Sequence, residues 1–349
     1  MEEFQMNNKS YSYIVYIGRF QPPHHAHIKI IKQALEQATE GVIILIGSAK
    51  QPRTIKNPFT YEERRQMILS SLPEYQHKIL HFAPLRDIPY NDQKWASEVQ
   101  RLANEVSYPN QNHGIIGHSK DESSYYLKMF PQWELVEVGN IEDINATKIR
   151  KALFAEESDF DLNIGRNLPT AIHDWIKAFM LTPWYEQLVR EYKFISNYRK
   201  SWETSPYMVT FVTVDAVVIQ SGHVLLVRRR AEPGRGTFAL PGGFVGRNES
   251  LIEAALRELR EETRIKVPAP VLQGNIKCCR VYDHPKRSLR GRTITHVYLI
   301  ELPSGPLPKV KGGDDADKAK WIPLNTVAQM EDLLFEDHYS IIEDILGKL

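Results

Sequence analysis

The chain has 349 residues, 42% hydrophobic and 25% charged, which excludes a wholly disordered, collagen-like or disulfide-scaffold protein and suggests about two domains at roughly 150 residues each. Lys and Arg total 44 against 43 Asp and Glu, a net charge of +1. The balance is also local, 24 basic and 24 acidic residues over 1–200 and 20 and 19 over 201–349, so neither part has the excess of a dedicated nucleic-acid binder.

In chain order, 11–17 is rich in Tyr, Ile and Val and predicts a strand. A helix follows from near His25, with Ile28, Ile31, Leu35 and Ala38 at helical spacing. The apolar run 42–46 then predicts a buried strand, which completes a βαβ unit and implies a parallel sheet. Further strands are expected at 114–116 and 135–138 with a helical stretch between them, and the pattern persists to about Thr182. Residues 183–200 predict an amphipathic helix opened by Pro183, and the polar stretch 201–206 a linker. From Tyr207 the texture changes to strands at 208–219, 223–228 and 293–300 around one helix near 250–262, an α+β pattern. The expected division is 1–182, a helix and linker at 183–206, and 207–349. Cys278 and Cys279 are the only cysteines and are adjacent, which points to a reducing compartment. The run 42–46 is far short of the ~20 residues a membrane helix needs, and residues 1–10 are too polar for a signal peptide. The expectation is a cytoplasmic protein with neither a membrane nor a nucleic-acid partner; an oligomer is compatible with the sequence.

Between the first strand and helix lies Gly18-Arg19-Phe20-Gln21-Pro22-Pro23-His24-His25-Ala26-His27. A helix N-terminus attracts phosphate. His24 and His27, three apart, can serve one side of that mouth, and Gly18 allows close backbone approach. Ile144-Asn145-Ala146-Thr147-Lys148-Ile149-Arg150 supplies a second mouth, with Asn145 as cap and Thr147 and Arg150 in the first turn. Taken singly, the same residues also suit a surface turn and a plain capped helix.

The first stretch resembles the GxFxPxHxGH signature of the HxGH nucleotidyltransferases, and the second their IS/NxTxIR signature. Gly47-Ser48-Ala49-Lys50, Thr54 and Asn57-Pro58-Phe59-Thr60-Tyr61-Glu62-Glu63-Arg64 resemble a segment of the archaeal-type nicotinamide mononucleotide (NMN) adenylyltransferases. Gly117-His118-Ser119-Lys120-Asp121 is similar to a segment that bacterial relatives place near adenosine. The resemblance implies a Rossmann-like fold over about 11–180 and attack of the NMN 5′-phosphate on ATP, assisted by Mg²⁺. It implies that His24 and His27 hold the triphosphate, that Arg19, Lys120 and Arg150 offset its charge, and that Gly18, Phe20, His118, Asp121, Asn145 and Thr147 line the substrates. Trp95 is a candidate to stack on nicotinamide or an ordinary half-buried tryptophan. The family glycine is replaced by Ala26, tolerable if its φ is negative.

In the second part Glu258, Glu261 and Glu262 stand at i, i+3 and i+4 and share a helix face. Their mutual repulsion suits a hard cation, Mg²⁺ or Mn²⁺, although a solvated acidic face has the same pattern. Residues 243–262 match the box GX5EX7REUXEE and so resemble the Nudix hydrolases. That implies an α/β/α sandwich with Glu258, Glu261 and Glu262 as metal ligands and Glu249 and Arg257 bracing the loop. Arg264 replaces the glycine expected two residues after Glu262; in a left-handed cap it carries a strain of ~1 kcal/mol. The segments 236–245, 288–293 and 313–316 resemble the ADP-ribose pyrophosphatase branch, which makes Arg290 and Arg292 candidates for phosphate or ribose, or merely exposed loop arginines. The run Arg228-Arg229-Arg230 reads as a solvated strand edge. The general base is open between Glu262 and the loop at Asp314-Asp315.

Both resemblances together match the bacterial bifunctional NMN adenylyltransferase/Nudix hydrolase family, with ATP, NMN, NAD and ADP-ribose as ligands. The alternatives are a Nudix unit that only senses ADP-ribose or NAD, and an adenylyltransferase with a different acceptor.

Overall fold

The computed structural model describes residues 11–75, 78–108, 111–117, 122–136, 138, 145–155, 167–313 and 316–347. The chain divides into two compact units, 1–189 and 190–349.

The first unit runs β1 (Tyr11–Gly18), α1 (His25–Gln37), β2 (Ala38–Ile46), α2 (Tyr61–Ser70), β3 (Leu80–Pro84), α3 (Asp92–Asn104), β4 (His113–Ile116), β5 (Glu134–Val136), α4 (Ala146–Ala155) and α5 (Thr170–Met180), then α6 (Pro183–Lys200). Its five strands lie in the order β3-β2-β1-β4-β5, and all pairs are parallel. Alternate residues explain the layering. Ile14, Ile44 and Ile46 pack with Ile28, Ile31 and Leu35 on one face, while Val15, Ile43 and Leu45 pack with Ala96, Val99 and Leu102 on the other. The strand order reverses between β1 and β4, which places the ligand crevice at the carboxyl end of β1. Ala38, expected on the helix, opens β2 instead, and the stretch expected to be helical before β5 is a 3₁₀ segment, Glu122–Lys128.

The change from one unit to the other falls within α6, earlier than the polar stretch 201–206. The first half of the helix bonds to the first unit, where Tyr185 Oη donates to Leu153 O at 2.9 Å. In its second half, Arg199 Nε donates to Leu289 O at 2.9 Å.

The second unit continues with β6 (Thr210–Gln220), β7 (His223–Arg229), β8 (Phe238–Ala239), β9 (Gly242–Phe244), α7 (Leu251–Thr263), α8 (Ala269–Gly274), β10 (Ile276–Tyr282), β11 (Arg292–Glu301), β12 (Ala316–Pro323), α9 (Leu324–Val327) and α10 (His338–Leu346). A mixed sheet runs β10-β11-β6-β7-β12, with β9 paired to β6 and β8 to β7. The apolar stripe of α7, Leu256 and Leu259, covers Ala216, Val218, Leu225 and Ile300, and this turns its acidic stripe away from that core. α10 is tied to β10, with Tyr282 Oη donating to Asp344 Oδ2 at 2.8 Å.

Candidate active sites

At the end of β1 the chain turns sharply. Phe20 takes a left-handed φ of 51°, and a Cβ on residue 18 would meet the Phe20 ring at 2.7 Å, so glycine is required at Gly18. Gln21 Nε2 donates to Phe59 O at 2.8 Å and Gln21 Oε1 accepts from Phe59 N at 3.0 Å, pinning this loop to the 57–60 segment. His24 is the N-cap of α1, and its backbone N–H donates to His27 Nδ1 at 3.2 Å. This is the reach-back half of a capping box, with histidine at N3 in place of Glu or Gln. Because His27 Nδ1 accepts, a neutral ring carries its proton on Nε2. The two imidazoles stack with centroids 3.6 Å apart. Ala26 is buried within α1 and is not among the left-handed residues, so its methyl adds no backbone strain.

The second mouth meets the first. Asn145 Oδ1 caps α4 by accepting from Thr147 N at 2.8 Å. Arg150 is buried, and donates from Nη1 to Gln21 O at 2.6 Å and from Nη2 to Thr147 Oγ1 at 3.1 Å. Burial, and then the nearby Arg19, push its pKa down to about 10. Arg19 itself is exposed. Trp95 is half-buried against Tyr126 and Phe130, at 6.0 and 6.2 Å, the contacts of a core residue. His118, Lys120 and Asp121 lie outside the described residues.

Sequence reasoning assigns Arg64 no role of its own, yet this residue organises the site. It is fully buried and donates to Arg19 O (2.5 Å), Gly47 O (2.6 Å), Ser48 O (3.2 Å) and Thr60 O (3.1 Å). One guanidinium thus fastens the loops after β1 and β2 to the start of α2. Burial holds its pKa down at about 10. A lone arginine in a polar helical turn carries no sequence signal of that position.

In the second unit, Ser250 caps α7: its Oγ accepts from Glu253 N at 3.4 Å, while Glu253 Oε2 accepts from Ser250 N at 2.8 Å. Gly242 and Gly243 pass so near their neighbours that a Cβ would meet Val214 O at 2.2 Å and the Glu258 carboxylate at 2.6 Å, respectively. Glu262 Oε2 accepts from Gly242 N at 3.0 Å. Burial nevertheless dominates and, with Glu258 and Asp215 adding repulsion, pushes the Glu262 carboxyl up to about 8. Glu258 is also raised, chiefly by burial. Arg257 braces the loop as expected, donating to Glu249 at 2.9 and 2.7 Å and to Phe244 O at 3.3 Å.

Arg257 Nη1 also donates to Glu258 Oε1 (2.8 Å) and Glu261 Oε2 (2.9 Å), so a guanidinium stands between those two carboxylates. Glu258 and Glu262 line a cavity of about 310 Å³, whereas Glu261 does not. Among the described residues no three carboxylates converge as a ready-made metal cage. The residues still fit a divalent cation: two carboxyl groups with raised pKa, in a glycine-walled cavity, are hard oxygen donors that gain from one. Glu261, on the same helix, is 49% exposed and paired with Arg257.

The exit from α7 bears out the cap expected at Arg264, which has φ 47° and ψ 33°. Its N–H donates to Arg260 O at 2.9 Å. Gly313 N and Lys311 N donate to Glu262 O and Thr263 O at 2.9 and 2.8 Å, so the last two carbonyls are satisfied. Asp314 and Asp315 lie outside the described residues.

Arg290 lines the cavity with its guanidinium 5.2 Å from the Phe244 ring centroid. Arg292 bonds to Asp283 and is not among the lining residues. The run 228–230 departs from a solvated edge: Arg228 and Arg230 are exposed, but Arg229 lines the cavity over Phe335 at 4.1 Å. Strand alternation is the missed signal, since residue 229 shares the face of Val227. Arg287, paired to Asp337 at 2.9 and 3.0 Å, and His338 also line the cavity. Leu240 N donates to His338 Nδ1 at 2.9 Å, and burial holds that ring neutral, with its pKa at about 3.

Taken with the fold, the two centres define the class: a nucleotidyltransferase unit joined to a Nudix unit. The cytidylyltransferase-like family matches residues 15–217 and the NUDIX domain residues 209–345. The first unit is similar to the nicotinamide/nicotinic acid mononucleotide adenylyltransferase of Acinetobacter baylyi, 42% identical over 52% of this chain and 94% of that protein. The second is similar to the ADP-ribose pyrophosphatase of Methanocaldococcus jannaschii, 36% identical over 40% of this chain and 75% of that protein. The crystal structure of a bifunctional NMN adenylyltransferase/ADP ribose pyrophosphatase from Francisella tularensis is 38% identical, with TM-score 0.90, over 96% of this chain and 98% of that one. The Francisella protein has also been crystallised with AMP and a Mn ion, at TM-score 0.87. The chain therefore belongs to the cytidylyltransferase-like nucleotidyltransferases and, with its NUDIX domain, to the two-domain family that the Francisella protein represents. Among the described residues no helix is long and apolar enough to cross a membrane.

Proposed function

We propose that residues 1–182 transfer AMP from ATP to NMN, giving NAD and pyrophosphate, and that residues 207–349 hydrolyse ADP-ribose to AMP and ribose 5-phosphate. The observation that carries this reading is that both motifs sit on the expected elements of one chain whose likeness to the Francisella protein spans 96% of it.

In the first reaction a phosphate oxygen of NMN attacks the α-phosphorus of ATP and pyrophosphate departs. No protein nucleophile is needed, so the site positions the reactants and offsets their charge. His27 Nε2–H and the His24 ring donate to the triphosphate, and Arg150 and Arg19 oppose its charge, helped by Lys120. Gly18, Phe20, Asn145 and Thr147 shape the two helix mouths. His118 and Asp121 are assigned to the adenosine side and Trp95 to the nicotinamide ring. In the second reaction Glu258, Glu262 and a reoriented Glu261 hold Mg²⁺, with Mn²⁺ an acceptable substitute. Held there, such a cation would supply a water of lowered pKa and offset diphosphate charge. Arg290, with Arg229 and Arg287 beside it, holds the diphosphate. The protein is proposed to work in the cytoplasm.

The test uses the full chain with labelled ATP, Mg²⁺ and a panel of acceptors: NMN, pantetheine phosphate and a flavin mononucleotide. NAD from NMN is expected; failure of NMN to react while another acceptor does overturns the assignment. ADP-ribose with Mg²⁺ should release AMP, and its absence overturns hydrolysis in favour of sensing.

A further inference from the structure

Glu232 lines the second cavity, and both of its carboxylate oxygens are buried with no hydrogen-bond partner among the described residues. The local backbone cannot supply one. The next residue, Pro233, has no N–H, and Gly234 N donates to Glu191 Oε2 at 3.3 Å. Two of the three guanidiniums that line the cavity have protein partners: Arg229 Nε donates to Pro233 O at 2.9 Å, and Arg287 is paired with Asp337, while Arg290 lies over the Phe244 ring. Burying a carboxylate without donors is costly, and native proteins rarely leave one so. The group therefore stands as an acceptor for a ligand.

The other substrate groups in this cavity already have partners: arginines for the diphosphate, and Glu258 and Glu262 for a cation. The donors a nucleoside diphosphate sugar still offers are the base amino group, a single nitrogen, and paired hydroxyls, whose spacing suits the two oxygens of one carboxylate. We infer that Glu232 is a specificity-determining residue that accepts hydrogen bonds from the vicinal diol of a substrate pentose. The inference rests on the proposed hydrolysis of ADP-ribose, a substrate with two such pentoses.

The test compares the full chain with Glu232→Ala on ADP-ribose and on two analogues, each lacking both hydroxyls of the diol of one pentose. Glu232→Ala should lower kcat/KM for ADP-ribose about 10- to 100-fold, mostly through KM. On the analogue that lacks the diol Glu232 holds, wild type and variant should turn over alike, which names the pentose. The Tm of the variant should equal or exceed that of wild type, because an unpaired buried carboxylate is gone, and its Mn²⁺ affinity should be unchanged. A lowered Tm with equal loss on all three substrates means a structural role and overturns the inference. So does an unchanged kcat/KM, or a loss of Mn²⁺ affinity. If wild type releases no AMP, hydrolysis fails separately. Calorimetric binding of ADP-ribose then decides: weaker binding to Glu232→Ala supports the diol contact, and equal binding overturns it.

Discussion

The two units meet the same chemical problem, a polyanionic phosphate chain, with opposite charge. In the first unit the protein supplies the positive character itself: a histidine-capped helix end, the buried Arg150, and a loop framework drawn together by Arg64. In the second, Glu258 and Glu262 line the cavity, and the buried Glu262 is pushed up to about 8. The lesson is that helix mouths bring positive character with the fold itself, whereas buried carboxylates beside cavity arginines gain from an added cation.

Damaging one unit and assaying both puts this contrast under the greatest strain. His27→Ala removes the proposed phosphate donor and the partner of the His24 N–H. NAD synthesis should fall by about 10²–10³, with ADP-ribose cleavage unchanged; loss of both would mean the units are not independent. Glu262→Gln should lower AMP release about 10²-fold, the equivalent of ~3 kcal/mol of barrier, and weaken Mn²⁺ binding in a titration, with NAD synthesis intact.

A pH scan extends the contrast to stability. His338 is held neutral, at about 3, by burial, whereas an unfolded histidine titrates near 6.5. As pH falls below that value, the unfolded state takes up a proton that the folded state refuses. Stability is therefore full above it and is lost as pH falls toward 3, by up to about 1.4 kcal/mol per pH unit. His338→Gln, which can still accept from Leu240 N, should flatten that loss in chemical denaturation relative to wild type. Glu262 works in the opposite direction over part of the range, because its folded value is raised, so the difference between the two proteins is the quantity to measure. The smallest effect is expected from Arg264→Gly. Relief of the left-handed strain should raise stability by about 1 kcal/mol, visible as a small rise in the melting transition, without change in either activity.

Much of the architecture is legible because local rules and tertiary packing agree. The 42–46 run forms the centre of β2, and Pro183 opens α6 as expected. Asn145 caps α4, and Arg264 occupies the left-handed cap that its missing glycine implies. Glu258, Glu261 and Glu262 share a helix by spacing alone. Ala38 misleads because helical periodicity there runs straight into a strand. Arg64 and Arg229 escape notice because each interacts mainly through groups distant in sequence or folded around it, which composition and spacing do not encode.

What the chain encodes locally is the set of motifs and their chemistry: the histidine pair, the glutamate box, and the order in which they follow one another. These depend on helix geometry and short loops, which neighbours in the chain dictate. How each group serves is settled by folding. It put the His27 proton on Nε2, turned Glu261 toward Arg257, and brought Asp215, Glu232 and His338 into one cavity. Protonation, burial and partner choice are set by atoms far apart in the chain, through desolvation and hydrogen bonding, and those arise only when the sheet has brought them together.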